Sequence, residues 1–261
     1  MSYTKIISYG NTVEIYELEN DLIRNHGGRS RGRKETISTD NLESSREDSL
    51  QEGDCPAHMG KRQDNARRAS LAFRRIVSAN LGRGSSLPVL VTPTYADNFT
   101  DLVGAYKHYS NFVCTLRRQF GREFKYVCVP EFQKRGAVHF HALFWGLSEE
   151  VLLLERENRT LAGIWGHGFL YFKRTDGAEQ LALYLTKYMA KAFMDPRLKN
   201  QKCYTASRNV QRPRVEAGNF LADNVIPYLG LEDEPVVERR YSTKWFGEGR
   251  YRLFKLKDDK S

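Results

Sequence analysis

Val138-His139-Phe140-His141-Ala142-Leu143-Phe144-Trp145 carries the clearest structural signal in the chain. It reads as a β-strand with two unlike faces. Side chains alternate along a strand, so His139 and His141 share one face while Phe140, Ala142 and Phe144 point into a core. Phe124–Phe132 reads as the preceding strand. Lys134-Arg135-Gly136, within Gln133–Ala137, forms a turn that joins the two as a hairpin. Two imidazoles about 7 Å apart along one face chelate a divalent cation when a third ligand joins them. Glu131, across the turn, is the candidate for that ligand, and Gln133, of the same parity, is its rival.

Working outward, Leu87–Tyr95 reads as another strand despite its two prolines. Thr100 is placed to cap a helix that ends at Gly121, with the stripe Leu102, Tyr106, Tyr109, Val113, Leu116 and Phe120. Val151–Arg156 reads as a short helix, Phe169–Lys173 as a strand and Ala178–Phe193 as a helix. At the ends, Lys5–Leu18 reads as a hairpin about Gly10-Asn11, and Val236–Lys257 as a closing hairpin about Gly247-Glu248-Gly249. A basic helix is expected from Asn65 to about Leu81. Residues 24–63 are polar and almost free of aromatics, the composition of a linker. The reading predicts an α+β fold, a central and mainly antiparallel sheet with packed helices. Three segments follow: residues 1–63, hairpin and linker; 64–230, the principal domain; and 231–261, the tail hairpin.

The chain has 261 residues, 40% of them apolar, enough for one sizeable core. Glycine and proline total only 28, which excludes collagen-like and low-complexity chains. Met1–Gly10 lacks the apolar core of a signal peptide, and no window approaches the ~18 apolar residues of a membrane span. A soluble protein of the cytoplasm is expected. The four cysteines lack CxxC spacing and are expected to be free thiols. Lys and Arg number 41 against 32 Asp and Glu, a net charge of +9. From Lys187 to Arg214 there are eight basic residues and one acid, Asp195. Such a field suits a polyanion, most often nucleic acid. Lys202, Arg208, Arg212 and Arg214 are the candidates for backbone contacts, and Trp145, Phe172 and Trp245 are aromatic residues of a type that stacks on bases. His167, between two glycines, is explained by a turn.

A second constellation lies in Tyr184-Leu185-Thr186-Lys187-Tyr188-Met189-Ala190-Lys191. On a helix, Tyr184, Lys187, Tyr188 and Lys191 share one face, whereas Leu181, Leu185, Met189 and Phe193 take another. A phenol, with a pKa of about 10, is a weak nucleophile at neutral pH. A nearby ammonium favours the phenolate, and a metal on a phosphate oxygen makes phosphorus more electrophilic. Mg²⁺ or Mn²⁺ is the ion expected for phosphate chemistry, and Zn²⁺ also binds such a ligand set.

These residues resemble an HUH endonuclease, specifically a rolling-circle replication initiator of single-stranded DNA phages and small plasmids. Val89–Tyr95 resembles the family's first motif, Glu131–His141 the second and Tyr184–Lys191 the third. The doubled Tyr-x-x-Lys is similar to the two-tyrosine form of the microvirus gene A-type proteins. Cys203–Arg208 resembles a segment that follows the third motif in phage replication proteins. The resemblance covers about Leu87 to Pro213.

The resemblance implies a central antiparallel RRM/ferredoxin-like sheet. It implies metal ligation by His139, His141 and Glu131, and nucleophilic attack by Tyr184 and Tyr188. Lys187 and Lys191 would orient the phosphate or offset developing charge. The implied activity nicks and rejoins single-stranded origin DNA through a 5′-phosphotyrosine, in the cytoplasm of a prokaryotic host. No GxxxxGK[ST] phosphate loop occurs in the sequence, so a separate or host helicase is the implied partner. Two alternatives stand beside this: a relaxase or transposase of the same superfamily, and a non-catalytic, RRM-like nucleic-acid-binding module.

Overall fold

The computed structural model describes residues 3–18, 57–81, 87–147, 151, 160–174, 192–231, 234–243 and 247–256. The chain divides into two compact units, one of residues 1–68 with 212–261, the other of residues 69–211. The fold is α+β and its sheets are antiparallel, as the residue pattern predicts, with five strands in each of two sheets.

The first unit contains β1 (Tyr3–Tyr9), β2 (Thr12–Leu18), β8 (Arg214–Gly218), β9 (Val237–Thr243) and β10 (Gly247–Lys255), in the order β8-β1-β2-β10-β9. The two terminal hairpins, read separately in the sequence, are thus neighbours, with Leu18 opposite Gly249. Ile6, Val13, Ile15, Ala222, Leu231 and Phe254 form its buried core. Glu14 is fully buried and accepts hydrogen bonds from the hydroxyls of Tyr9 and Tyr16, which offset the cost of burying a carboxylate. The expected turn at Gly247-Glu248-Gly249 is corrected by the register. Gly247 already pairs with Thr243, and all three residues lie in β10. The glycine at 249 serves a close approach: an added Cβ would stand 2.5 Å from the Tyr241 ring.

The second unit contains β3 (Val89–Tyr95), α2 (Leu102–Phe120), β4 (Lys125–Phe132), β5 (Val138–Trp145), α3 (Thr160–Trp165), β6 (Gly168–Arg174) and β7 (Thr205–Ala206). Before them, α1 (Ala57–Ala79) begins earlier than the expected Asn65 and runs across the division between the units. The strand order is β6-β3-β5-β4-β7. Helix α2 buries Leu102, Ala105, Tyr109, Phe112, Val113 and Leu116. They pack with Val91, Phe140, Ala142 and Phe144 of the sheet and Trp165 of α3. The capping residue is Asp101, not Thr100; its carboxylate accepts the Val103 N–H at 3.0 Å. The short helix read at Val151–Arg156 lies outside the described residues beyond Val151.

One backbone contact fixes β6 at the rim of this sheet. Gly168 has φ +145°, and a Cβ there would stand 2.3 Å from the Ala96 nitrogen and 2.6 Å from the Thr94 oxygen. Neither backbone atom can yield without opening the β3–β6 ladder. Gly168→Ala is therefore expected to destabilise the protein by about 3 kcal/mol, from forbidden backbone geometry and overpacking together. A fall in the denaturant midpoint measures it; an unchanged midpoint would contradict the packing described.

Candidate metal centre and nucleic-acid interface

The hairpin β4–β5 builds the site. Its turn closes with Gln133 N–H to Ala137 O and Gly136 N–H to Gln133 O, both 2.8 Å, and Gly136 takes φ +95°, where a side chain is strained. The resulting register sets Glu131 opposite His139 and Val129 opposite His141. Directly opposed residues share a face. Phe140 and Ala142 are fully buried on the other face, and Phe140 packs against Tyr109 at 4.9 Å between ring centres. A slip of one residue would bury the imidazoles and expose this core, so the hydrophobic pattern holds the histidines outward.

Nε2 of His139 lies 2.9 Å from Oε2 of Glu131, and Nε2 of His141 lies 2.6 Å from the same oxygen. The imidazole rings stand 4.5 Å apart and nearly perpendicular. All three donor atoms fall within 4.8 Å of one another. Both histidine side chains are 14% exposed and that of Glu131 26%, so the cluster is half-buried and open to solvent on one side. Burial opposes the charge on Glu131. The hydrogen bonds from His139 and His141, reinforced by their Coulombic attraction, outweigh it and hold the carboxyl well below the usual range. Glu131 is thus an anion at neutral pH.

The donor set fits a divalent cation. Ligands on adjacent corners of an octahedron with bonds of about 2.1 Å stand about 3 Å apart, close to the two separations seen here. Two imidazoles and a carboxylate also suit an ion with positions left for a substrate oxygen. The rival Gln133 is otherwise engaged. Its side-chain oxygen accepts from Arg135 Nε at 3.1 Å, while the same guanidinium donates to the carbonyls of Tyr95 and Ala96. Arg135 thereby ties the hairpin turn to the end of β3.

The first motif lies on β3, beside the histidine strand. Thr94 pairs with His139, but the ladder lacks the pairs that would follow at Pro93 and Thr92. Proline has no N–H to donate there. The Tyr95 hydroxyl is hydrogen-bonded to Nδ1 of His108 at 2.9 Å, and its ring stacks on Phe99. His167 sits in the expected glycine-flanked turn and stacks on His108 with ring centres 4.0 Å apart.

Tyr184, Lys187, Tyr188 and Lys191 lie outside the described residues. Lys202 and Arg208 are exposed in the second unit; Arg212 and Arg214 are exposed in the first, where Arg214 pairs with Glu216 at 2.9 Å. Among the aromatic residues read as stacking candidates, Trp145 is buried and Phe172 packs against the core. Trp245 lies outside the described residues. The exposed rings of β6 are instead Phe169 and Tyr171, at 71% and 57% exposure. Their alternation with Leu170 and Phe172 in Phe169-Leu170-Tyr171-Phe172 was the available signal. Cys114, Cys128 and Cys203 are free thiols. No described helix is long and apolar enough to cross a membrane.

Residues 88–193 match a family model for replication-associated proteins of the ORF2 type. The matched segment spans β3 through β6, including the three donors of the cluster, and extends in sequence past Tyr184 and Tyr188. This supports a replication role and a family of replication initiators. No curated protein and no solved structure matches the chain.

Proposed function

We propose that this protein is a metal-dependent endonuclease and strand transferase that starts rolling-circle replication by nicking single-stranded origin DNA. The observation that carries the reading is the convergence of Glu131, His139 and His141 on one open-sided point, within a segment that matches a replication-associated family. His139, His141 and Glu131 hold the divalent cation. When bound, that ion withdraws charge from a phosphate oxygen and so makes phosphorus easier to attack.

The chain's own residues supply the remainder. The phenol oxygen of Tyr184 or Tyr188 attacks phosphorus, the bond from phosphorus to the 3′-oxygen breaks, and the phenolic proton leaves to solvent or to that departing oxygen. The products are a free 3′-hydroxyl and a 5′-phosphotyrosine. One phosphodiester replaces another, so attack by a 3′-hydroxyl reverses the step without an external energy source. Lys187 and Lys191, one turn apart with the tyrosines in sequence, favour the phenolate and neutralise the phosphate. Two phenols allow two transfers in succession, one holding an end while the other cuts. Lys202, Arg208, Arg212 and Arg214 are assigned to the DNA backbone, and unwinding is assigned to a separate helicase.

Labelled single-stranded origin DNA incubated with the protein and Mn²⁺ is expected to give a protein-linked product that survives denaturing electrophoresis. EDTA abolishes it and excess Mn²⁺ restores it. Undiminished cleavage in EDTA would remove the metal from the mechanism.

A further inference from the structure

The outer face of β6 presents a file of three side chains: Phe169, Tyr171 and Lys173, all exposed, while Leu170 and Phe172 between them pack inward. The register carries this file to the metal cluster. Phe169 pairs with Thr94, Thr94 with His139, and His139 with Glu131. These four residues form one row across the sheet on one face, and Tyr171 lies in the next row, opposite Thr92. Two interstrand spacings, about 10 Å, separate Phe169 from His139 along this row. The two rings stand about 7 Å apart along β6.

Large aromatic side chains left open to water on an edge strand gain nothing for the fold. Their position beside a cluster suited to a phosphate-bound cation gives them an occupant. We infer that Phe169 and Tyr171 stack on unpaired nucleobases and so position a single strand whose phosphodiester enters the metal centre. The inference deepens the proposed function and rests on it. A flat ring accepts any base, so the contact selects for unpaired bases rather than for sequence. In a duplex the base faces are already stacked and not available. Lys173, third in the file, continues it with a cation for the backbone. Phe169 and Tyr171 are positioning residues; neither belongs to the metal set.

The test compares the full-length parent with Phe169→Ala/Tyr171→Ala and with the conservative Tyr171→Phe. Binding is read by fluorescence anisotropy, in EDTA so that cleavage plays no part, to an oligothymidine strand and to an abasic strand of the same length. The parent is expected to bind the base-bearing strand at least about tenfold more tightly than the abasic one. The double alanine variant is expected to lose that preference while keeping the parent's affinity for Mn²⁺, and Tyr171→Phe to retain the preference. Both positions are exposed, so folding is expected to survive, and circular dichroism checks it. A parent without base preference, or a double variant that keeps it, would overturn the stacking assignment. The two readings separate. A parent that prefers bases but never nicks contradicts only the enzymatic proposal, and a nicking parent whose double variant keeps its preference contradicts only this one.

Discussion

The double variant His139→Ala/His141→Ala is expected to lose Mn²⁺ binding and, with it, the covalent DNA product. Loss of one outer partner of a metal ligand costs roughly 10–100-fold in affinity. Removal of two of three direct ligands exceeds that, because a single carboxylate remains to bind the ion. Stability is expected to change far less. Both imidazoles lie on the half-exposed face, and the residues that hold β5 in the sheet, Phe140 and Ala142, point the other way. Glu131 would lose two hydrogen bonds but is open enough to be hydrated. Calorimetric titration with Mn²⁺, beside a denaturant melt, separates the outcomes. If the histidines served only to satisfy Glu131, the melt would shift and the parent would show no Mn²⁺ affinity to lose.

The second large effect concerns the nucleophile. Tyr184→Phe/Tyr188→Phe removes two hydroxyl oxygens and keeps the rings, so packing is conserved while attack on phosphorus becomes impossible. Enzymes that depend on a covalent nucleophile lose about 10⁶-fold when it is removed, and the adduct should fall below detection. Affinity for Mn²⁺ and for single-stranded DNA should remain. Each single variant should still form an adduct through the tyrosine left in place. An adduct that persists in the double variant would assign the chemistry to another residue.

How much of this was legible in the sequence differs by element. The hairpin β4–β5 was readable because its alternation is strict. Val138–Trp145 has the observed bounds, and the parity of Glu131 relative to His139 follows from the turn alone. The stripe of α2 was equally clear, since burial selects one face of a long amphipathic helix. The pairing of β2 with β10 was not readable: it joins opposite ends of the chain, and no local pattern encodes which distant edge a strand meets. Gly249 misled for a related reason. A glycine that accepts a neighbouring ring looks, in one dimension, like a glycine that makes a turn. On β6 the strand itself is legible, but residue type alone points to Phe172, and only its parity against the core separates that ring from the exposed Phe169 and Tyr171. The choice between Glu131 and Gln133 required the third dimension, where Arg135 engages Gln133 and leaves Glu131 to the histidines.

The most direct test is diffraction from crystals soaked in Mn²⁺, collected to show manganese anomalous scattering. The predicted result is one strong peak about 2.0–2.4 Å from a carboxylate oxygen of Glu131 and from Nε2 of both His139 and His141. Crystals that take up manganese elsewhere, while Glu131 remains hydrogen-bonded to both imidazoles, would contradict the account.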